Sequence, residues 1–473
     1  MKRTFAGLFL LAGLAFTVAY GQSGRLPDLG DASGGLLTPS EELELGRSLL
    51  REIRRVMPLV EDPEIAFYID ALGRRLVSNA PDASGTFHFL TIDNSQVNAF
   101  AMPGGIVGMH TGLIVAARDE AELAAVIAHE IAHITQRHIA RMYARGRDIN
   151  FTTGLAILAG ILAASIDPEL GQAAIAGGLA FGMQSQIDYT RSNEAEADRV
   201  GIQILTSAGF DPHAMADFFE RMQELTRGAH DAVPEYLRTH PVTLGRISDA
   251  RGRAEQIPGD FTRDDTGLFD WMQARVRALS DPQRSVRDHE ARRRHSLVQL
   301  YEAAVAHLEL GQTDAAEQLL DRIPAGEAPT LVLALAETAL LRRQDRFAEA
   351  LEQLGQLDSV YPGHPVIGAL RAHTYHEANQ HREAVRMVEQ VLRRQSTPDP
   401  HLLRLKADAA DADGRIAVSR EAMAEYFFHR GQYDEAVRQF DDALVARDAT
   451  PRDVERIEHK RDTARQVARQ DSR

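Results

Sequence analysis

The sequence predicts an α+β fold that is mostly α, built as a compact unit followed by an α-solenoid. Three observations carry this reading. Strand-like alternation is confined to residues 87–115, and helical spacing of apolar residues fills most of the rest. From about residue 297, helical pairs recur at a fixed period. The length of 473 residues also suits more than one unit, because single cores stop growing well short of it.

Lys2 and Arg3 precede an apolar run over residues 5–19, and Ala19 and Gly21 are small residues flanking Tyr20. This is the pattern of a signal peptide over residues 1–21. A retained anchor is the alternative, although the run falls short of the ~20 residues a spanning helix needs. Residues 22–40 are rich in Gly, Pro, Ser and Asp and read as a flexible segment. Residues 41–77 have helical spacing. Residues 87–92 alternate as a strand, and residues 98–115 read as two short strands turning at Pro103-Gly104-Gly105. A long helix follows, with Asp119 as N-cap and Glu122 closing a capping box.

Residues 151–183 hold two Gly/Ala-rich apolar stretches broken at Asp167-Pro168. They read either as a helical hairpin packed on the compact unit or as a segment that dips into a membrane surface. A helix then runs from Ser192 to Ala208, ended by Gly209 and Asp211-Pro212. The expected division is a compact unit at 41–262, a helical linker at 263–296, a solenoid at 297–460 and a tail at 461–473.

Within the solenoid, Ala316, Ala350 and Ala384 each open a second helix and lie 34 residues apart, the tetratricopeptide period. Ala304 and Ala372 supply the small residue expected earlier in the unit, where Thr338 fits less well. Leu320, Leu354 and Val388 supply the large apolar one. A further unit begins at Ala424, offset by 52 residues from Ala372, so that about half a repeat (residues 401–417) is inserted.

The formal net charge is −15, which argues against nucleic acid as a main partner. The absence of cysteine excludes disulfides, thiolate metal ligands and a cysteine nucleophile. Any metal must be held by His, Asp or Glu.

His129-Glu130-Ile131-Ala132-His133 is an HExxH motif in the long helix. Residues four apart share a helical face, so both imidazoles can reach one Zn2+ while Glu130 lies beside the ion as a general base. Glu194 and Asp198 form a second pair with the same spacing. One carboxylate can ligate the metal, and the other can accept the free N–H of a ligating imidazole. Glu196 and His138 read as solvated side chains, and His88 and His110 as packed or surface residues.

HExxH followed by ExxxD, with the NAFAMPGG stretch before and Thr239-His240-Pro241 and Arg246 after, resembles the HtpX-type and CAAX-prenyl-protease-type zinc metallopeptidases. The signal peptide, the repeats and the short 151–183 segment point to a soluble periplasmic branch of that family. The resemblance implies a zincin-like metallopeptidase fold and one Zn2+ per chain, held by His129, His133 and Glu194. It implies Glu130 as the catalytic base and Asp198 as the acid behind a ligand. His240 would either fill the fourth metal position in a latent state or steady the reaction intermediate; capping a loop before Pro241 is the plainer alternative. Arg246 would bind substrate or hold that loop. Asn98, Ala99, Phe100, Gly104 and Gly105 would bind an extended substrate along a strand edge, unless they form an ordinary hairpin. The implied partners are unfolded or misassembled outer-membrane proteins and, through the repeats, the β-barrel assembly machinery. Peripheral membrane contact through 151–183 completes the expectation.

Overall fold

A computed structural model of the chain describes residues 38–145, 183–228, 234–264, 266–395 and 398–471. The expected signal peptide, nearly all of the expected segment at 22–40 and the apolar stretch at 151–182 lie outside these residues.

The helical span expected at 41–77 is two helices, α1 (Pro39–Val56) and α2 (Pro63–Ser78). Thr38 and Glu41 close a capping box on α1. Asp62 caps α2 by accepting from the N–H groups of Glu64 and Ile65, and Pro63 occupies the first turn, where its missing donor costs nothing. Three strands follow: β1 (His88–Ile92), β2 (Ala99–Met102) and β3 (Ile106–His110). The order is β1-β3-β2, with β1 parallel and β2 antiparallel to β3, so β1 and β2 are opposite edges. The end of the expected second strand is instead the helix α3 (Thr111–Ala116).

Helix α4 (Glu120–Thr135) carries the HExxH motif and is buried along most of its length. Asp119 caps it through Glu122 N–H at 2.9 Å, as expected. The capping box does not form. Glu122 is buried and turns its carboxylate to Arg118 N–H and to the Arg221 guanidinium, because a buried charge needs a cationic partner more than a second cap. After α5 (His138–Arg145) come α6 (Met183–Ser207), α7 (His213–Gly228), α8 (Glu235–Thr239) and α9 (Leu244–Ala254). Gly209 follows the end of helix α6, and its φ of 88° suits glycine. At Gly201 an added Cβ would lie 3.2 Å from the backbone of His129. Glycine there lets α6 approach α4 closely enough to bring its carboxylates to the histidines.

The segment expected as a linker is α10 (Phe269–Ser280) and α11 (Pro282–Glu290). It is helical, but packed: Phe269, Trp271 and Met272 are buried in a core that continues through Leu300, Tyr301 and Leu340 of the solenoid. Arg275 joins the two parts, pairing with Asp62 at 2.7 Å and Glu64 at 2.8 Å.

The solenoid is five helical hairpins: α12 (Leu297–Glu309) with α13 (Thr313–Leu320), α14 (Thr330–Arg343) with α15 (Phe347–Val360), α16 (Pro365–Glu377) with α17 (His381–Leu392), α18 (Pro400–Ala412) with α19 (Ile416–His429), and α20 (Tyr433–Leu444) with α21 (Pro451–Asp471). Gly311, Asp345, Asn379, Gly414 and Gly431 all take positive φ at interhelical turns. The fourth turn comes 35 residues after the third, so residues 401–417 are no loose insert: α18 and α19 continue the array. The array folds back on α1, where Arg430 donates to Arg54 C=O and Arg51 lies over Tyr433. Among the described residues, no helix is long and apolar enough to cross a membrane.

Candidate metal centre

His129 and His133 project from one face of α4, Glu194 from α6, and His240 follows α8. Their donor atoms all lie within 4.8 Å of one another. The Nε2 atoms of His129 and His133 are 3.0 Å apart, and each lies 3.4 Å from a Glu194 oxygen. His240 Nδ1 is 3.4 Å from His129 Nε2 and 3.1 Å from Glu194 Oε2. Donors held ~2.0–2.2 Å from one tetrahedral ion sit about 3.3 Å apart. The nitrogen and carboxylate donor set therefore fits a zinc-sized cation.

Glu130 is fully buried beside this cluster, and neither of its oxygens has a hydrogen-bond partner among the described residues. His240 Nε2 lies 3.5 Å from Glu130 Oε1. Burial raises its pKa against the opposing pull of His240 and His129. A buried carboxyl left without a partner is costly and is retained where chemistry needs it.

Behind the donors lies a second ring of contacts. His129 Nδ1 is 3.0 Å from Asp198 Oδ1, close but off the straight N–H line. Burial pushes His129 down, yet its contacts with Asp198 and Glu194 outweigh this and raise it to about 9. Asp198 is itself clamped by Arg246, whose Nε and Nη2 each donate at 2.7 Å. Arg246 also reaches Glu194 Oε2 at 3.0 Å and donates to Pro241 C=O. It thus touches the loop that carries His240, as the loop-holding role for Arg246 requires. Tyr236, buried, stacks on the His240 ring at 4.9 Å.

His133 has a partner that the sequence reading placed in solvent. His138 is buried, and its Nδ1 lies 2.8 Å from His133 Nδ1. Its Nε2 lies 3.2 Å from Glu196, which also accepts from Arg141 at 2.6 Å. Glu196 is therefore half-buried and paired, not a solvated carboxylate. The tautomers follow from the geometry. With His133 Nε2 facing the cluster, its Nδ1–H donates to His138 Nδ1, and His138 Nε2–H donates to Glu196. The stretch Glu194–Asp198 thus provides one donor and the carboxylates behind both HExxH histidines. The off-face position of His138 hid this, because the kink at Arg137, where φ is +52°, swings α5 back toward α4. His110 is fully buried at the end of β3, and His88 is half-buried on β1.

The expected strand-edge residues divide. Asn98 O accepts from His110 N–H, so Phe100 also faces β3, while Ala99 and Ala101 turn their backbone groups to the outer edge. Val97 C=O on that edge accepts from Tyr236 N–H, which sets the edge beside the His240 loop. Gly104 and Gly105 are occupied otherwise. A Cβ on Gly104 would meet Gly46 of α1 at 2.6 Å, and one on Gly105 would meet Thr86 C=O at 2.1 Å. Both glycines serve the packing of the turn.

An HExxH helix facing a helix-borne carboxylate, with an unpaired buried glutamate beside the donors, defines a metal-dependent peptidase. Comparison with known proteins agrees. Residues 66–254 match the model of peptidase family M48, and residues 341–409 match a tetratricopeptide repeat. The chain is 32% identical over 427 residues to the β-barrel assembly-enhancing protease of Yersinia pestis, covering 88% of this chain and 87% of that protein. It is 43% identical over 232 residues to the protein of that name from Escherichia coli K12, covering 49% and 47%. The mitochondrial metalloendopeptidase OMA1 of Arabidopsis thaliana is 33% identical over 156 residues, 33% of this chain and 29% of that one. The chain belongs to peptidase family M48 and is a metalloendopeptidase with a tetratricopeptide array.

Proposed function

We propose that the chain is a zinc endopeptidase of the bacterial periplasm that cleaves misassembled outer-membrane proteins and, through its repeats, engages them or the machinery that assembles them. The observation that carries the peptidase part is the unpaired Glu130 carboxylate beside four convergent donors. The client class rests on the printed names of the relatives, and the compartment on the N-terminal sequence pattern.

In this reading His129, His133 and Glu194 hold the ion. When bound, zinc supplies Lewis acidity, acidifying a water and polarising a peptide carbonyl. Glu130 takes the proton of the attacking water and passes it to the leaving amine. Asp198 fixes the His129 ring, and Arg246 keeps Asp198 ionised and in place. An extended client pairs with the outer edge of β2 at Ala99 and Ala101, beside Asn98 and Phe100. His240 either donates to the developing oxyanion or occupies the fourth metal position.

The nearness of His240 Nδ1 to the other donors favours a second reading, in which the centre rests latent and the chain chiefly holds clients. Glu130→Gln separates the two. The variant retains zinc and loses cleavage of unfolded protein by more than about a hundredfold. Restored outer-membrane assembly in cells carrying only this variant supports the holding reading, and failure supports the proteolytic one. Full cleavage by the variant contradicts the assignment of Glu130.

A further inference from the structure

A cavity of about 600 Å³ lies between the peptidase part and the solenoid. It opens on β1, the edge of the sheet opposite β2. Its charged groups do not balance. Arg54, Arg74, Arg371 and Arg394 line it, against Asp70, Asp358 and Asp399. Asp70 is taken by Arg74 at 2.6 Å and Asp358 by Arg371 Nη1 at 2.8 Å. Asp399 caps α18 by accepting from His401 N–H at 2.9 Å. Among the described residues, Arg54 and Arg394 therefore have no ion pair, and Nε of Arg371 is buried without a hydrogen-bond partner.

Arg54 is half-buried, and burial lowers its pKa despite the attraction of Asp399. A guanidinium withdrawn from water and left unpaired is unfavourable, and an anion in the cavity would relieve it. The remaining wall is mixed: Phe67, Val391 and Leu402 give it apolar surface beside His88, His364 and Gln390. A bare phosphate gains nothing from the apolar part of that wall. A peptide gains from it, and β1 offers a backbone partner as well. His88 N–H donates to Gly105 C=O and so faces β3, while Thr91 C=O accepts from Val60 N–H and so faces outward. By alternation, the N–H and C=O of Phe89 also face outward, and no described residue pairs with them. The volume lies in the range of sites that enclose small ligands or chain ends.

We infer that this cavity binds an extended peptide through a carboxylate held by Arg54 and Arg394, with a neighbouring apolar side chain against the Phe67 wall and backbone pairing at Phe89. It is a client-holding site separate from the metal centre. It rests on the reading that clients are polypeptides, and binding is measured apart from cleavage so that the two stand or fall separately. The carboxylate comes from the end of a chain or from an acidic side chain.

The test uses the full chain with Glu130→Gln, and fluorescence anisotropy of three labelled peptides: one ending in an apolar residue with a free carboxylate, the same peptide amidated, and an amidated peptide with glutamate before the last apolar residue. Tighter binding of the first supports a chain end, and tighter binding of the third supports a side chain. Arg54→Met weakens the preferred peptide by at least about tenfold, and Arg54→Lys recovers part of the loss. Arg394→Met provides the same test should Arg54→Met fail to fold. Equal binding of all three peptides, or of the preferred peptide to folded Arg54→Met and Arg394→Met, overturns the inference.

Discussion

The ring of His133 has to be held from behind if its Nε2 is to stay on the metal side. His138 does this at 2.8 Å and is itself anchored by Glu196. Removing a group behind a ligating histidine typically costs about 10–100-fold in metal affinity. His138→Leu should weaken zinc binding to that extent in a chelator competition. His138→Gln should retain most of it, because an amide can both accept from His133 and donate to Glu196. Equal affinity in the leucine variant would remove His138 from the centre. The donors themselves were legible in the sequence, because i,i+4 spacing on a helix is a local rule that HExxH and ExxxD both obey. His138, Glu196 and Tyr236 were not, because their roles depend on a kink after α4 and on packing between distant segments. Nothing in their spacing distinguishes them from solvated side chains.

Among the elements, α2 and α10 meet through one guanidinium that serves two buried carboxylates. Arg275 lies between Asp62 and Glu64, and only one charge can be neutralised. Burial raises Glu64 to about 7 despite Arg275, whereas Arg275 and the α2 N–H groups overcome burial at Asp62 and hold it low. The folded state thus binds a proton that the unfolded chain releases above about pH 4.5. The contribution of Glu64 to stability should fall as pH rises from about 4.5 to about 7 and level off above. Relative to the unsubstituted chain, Glu64→Gln should gain stability between pH 5 and pH 8 in urea unfolding, and an unchanged difference between the two proteins would mean Glu64 is ionised throughout. Sequence periodicity located α4, the three strands and the second helices of the first three hairpins to within a few residues. It merged α1 with α2, because apolar spacing continues across the break and only Pro58 and Asp62-Pro63 mark it. It also treated residues 401–417 as an insert, because Lys406 and Val418 stand where small residues were sought, although the turn at Gly414 keeps the array in step.

At the scale of the molecule, the peptidase part and the solenoid share one core and close on each other twice. Trp271 packs against Tyr301 at 5.3 Å, Phe67 against His364 at 4.4 Å, and α1 receives the fourth hairpin through Arg430. A fragment ending at residue 290 would expose the face that buries Leu300, Tyr301 and Val305. Such a fragment should aggregate or unfold without a cooperative transition, whereas the full chain unfolds as one unit at its first transition. A stable, active fragment would show that the solenoid is an independent appendage. The shared core gives the composite centre its rigidity: two histidines from α4 and a carboxylate from α6 converge without a disulfide. Anomalous diffraction at the zinc edge tests that convergence most directly. The expected map has a single peak about 2.0–2.2 Å from His129 Nε2, His133 Nε2 and a Glu194 oxygen. A peak elsewhere, or none in zinc-supplemented crystals, would contradict it.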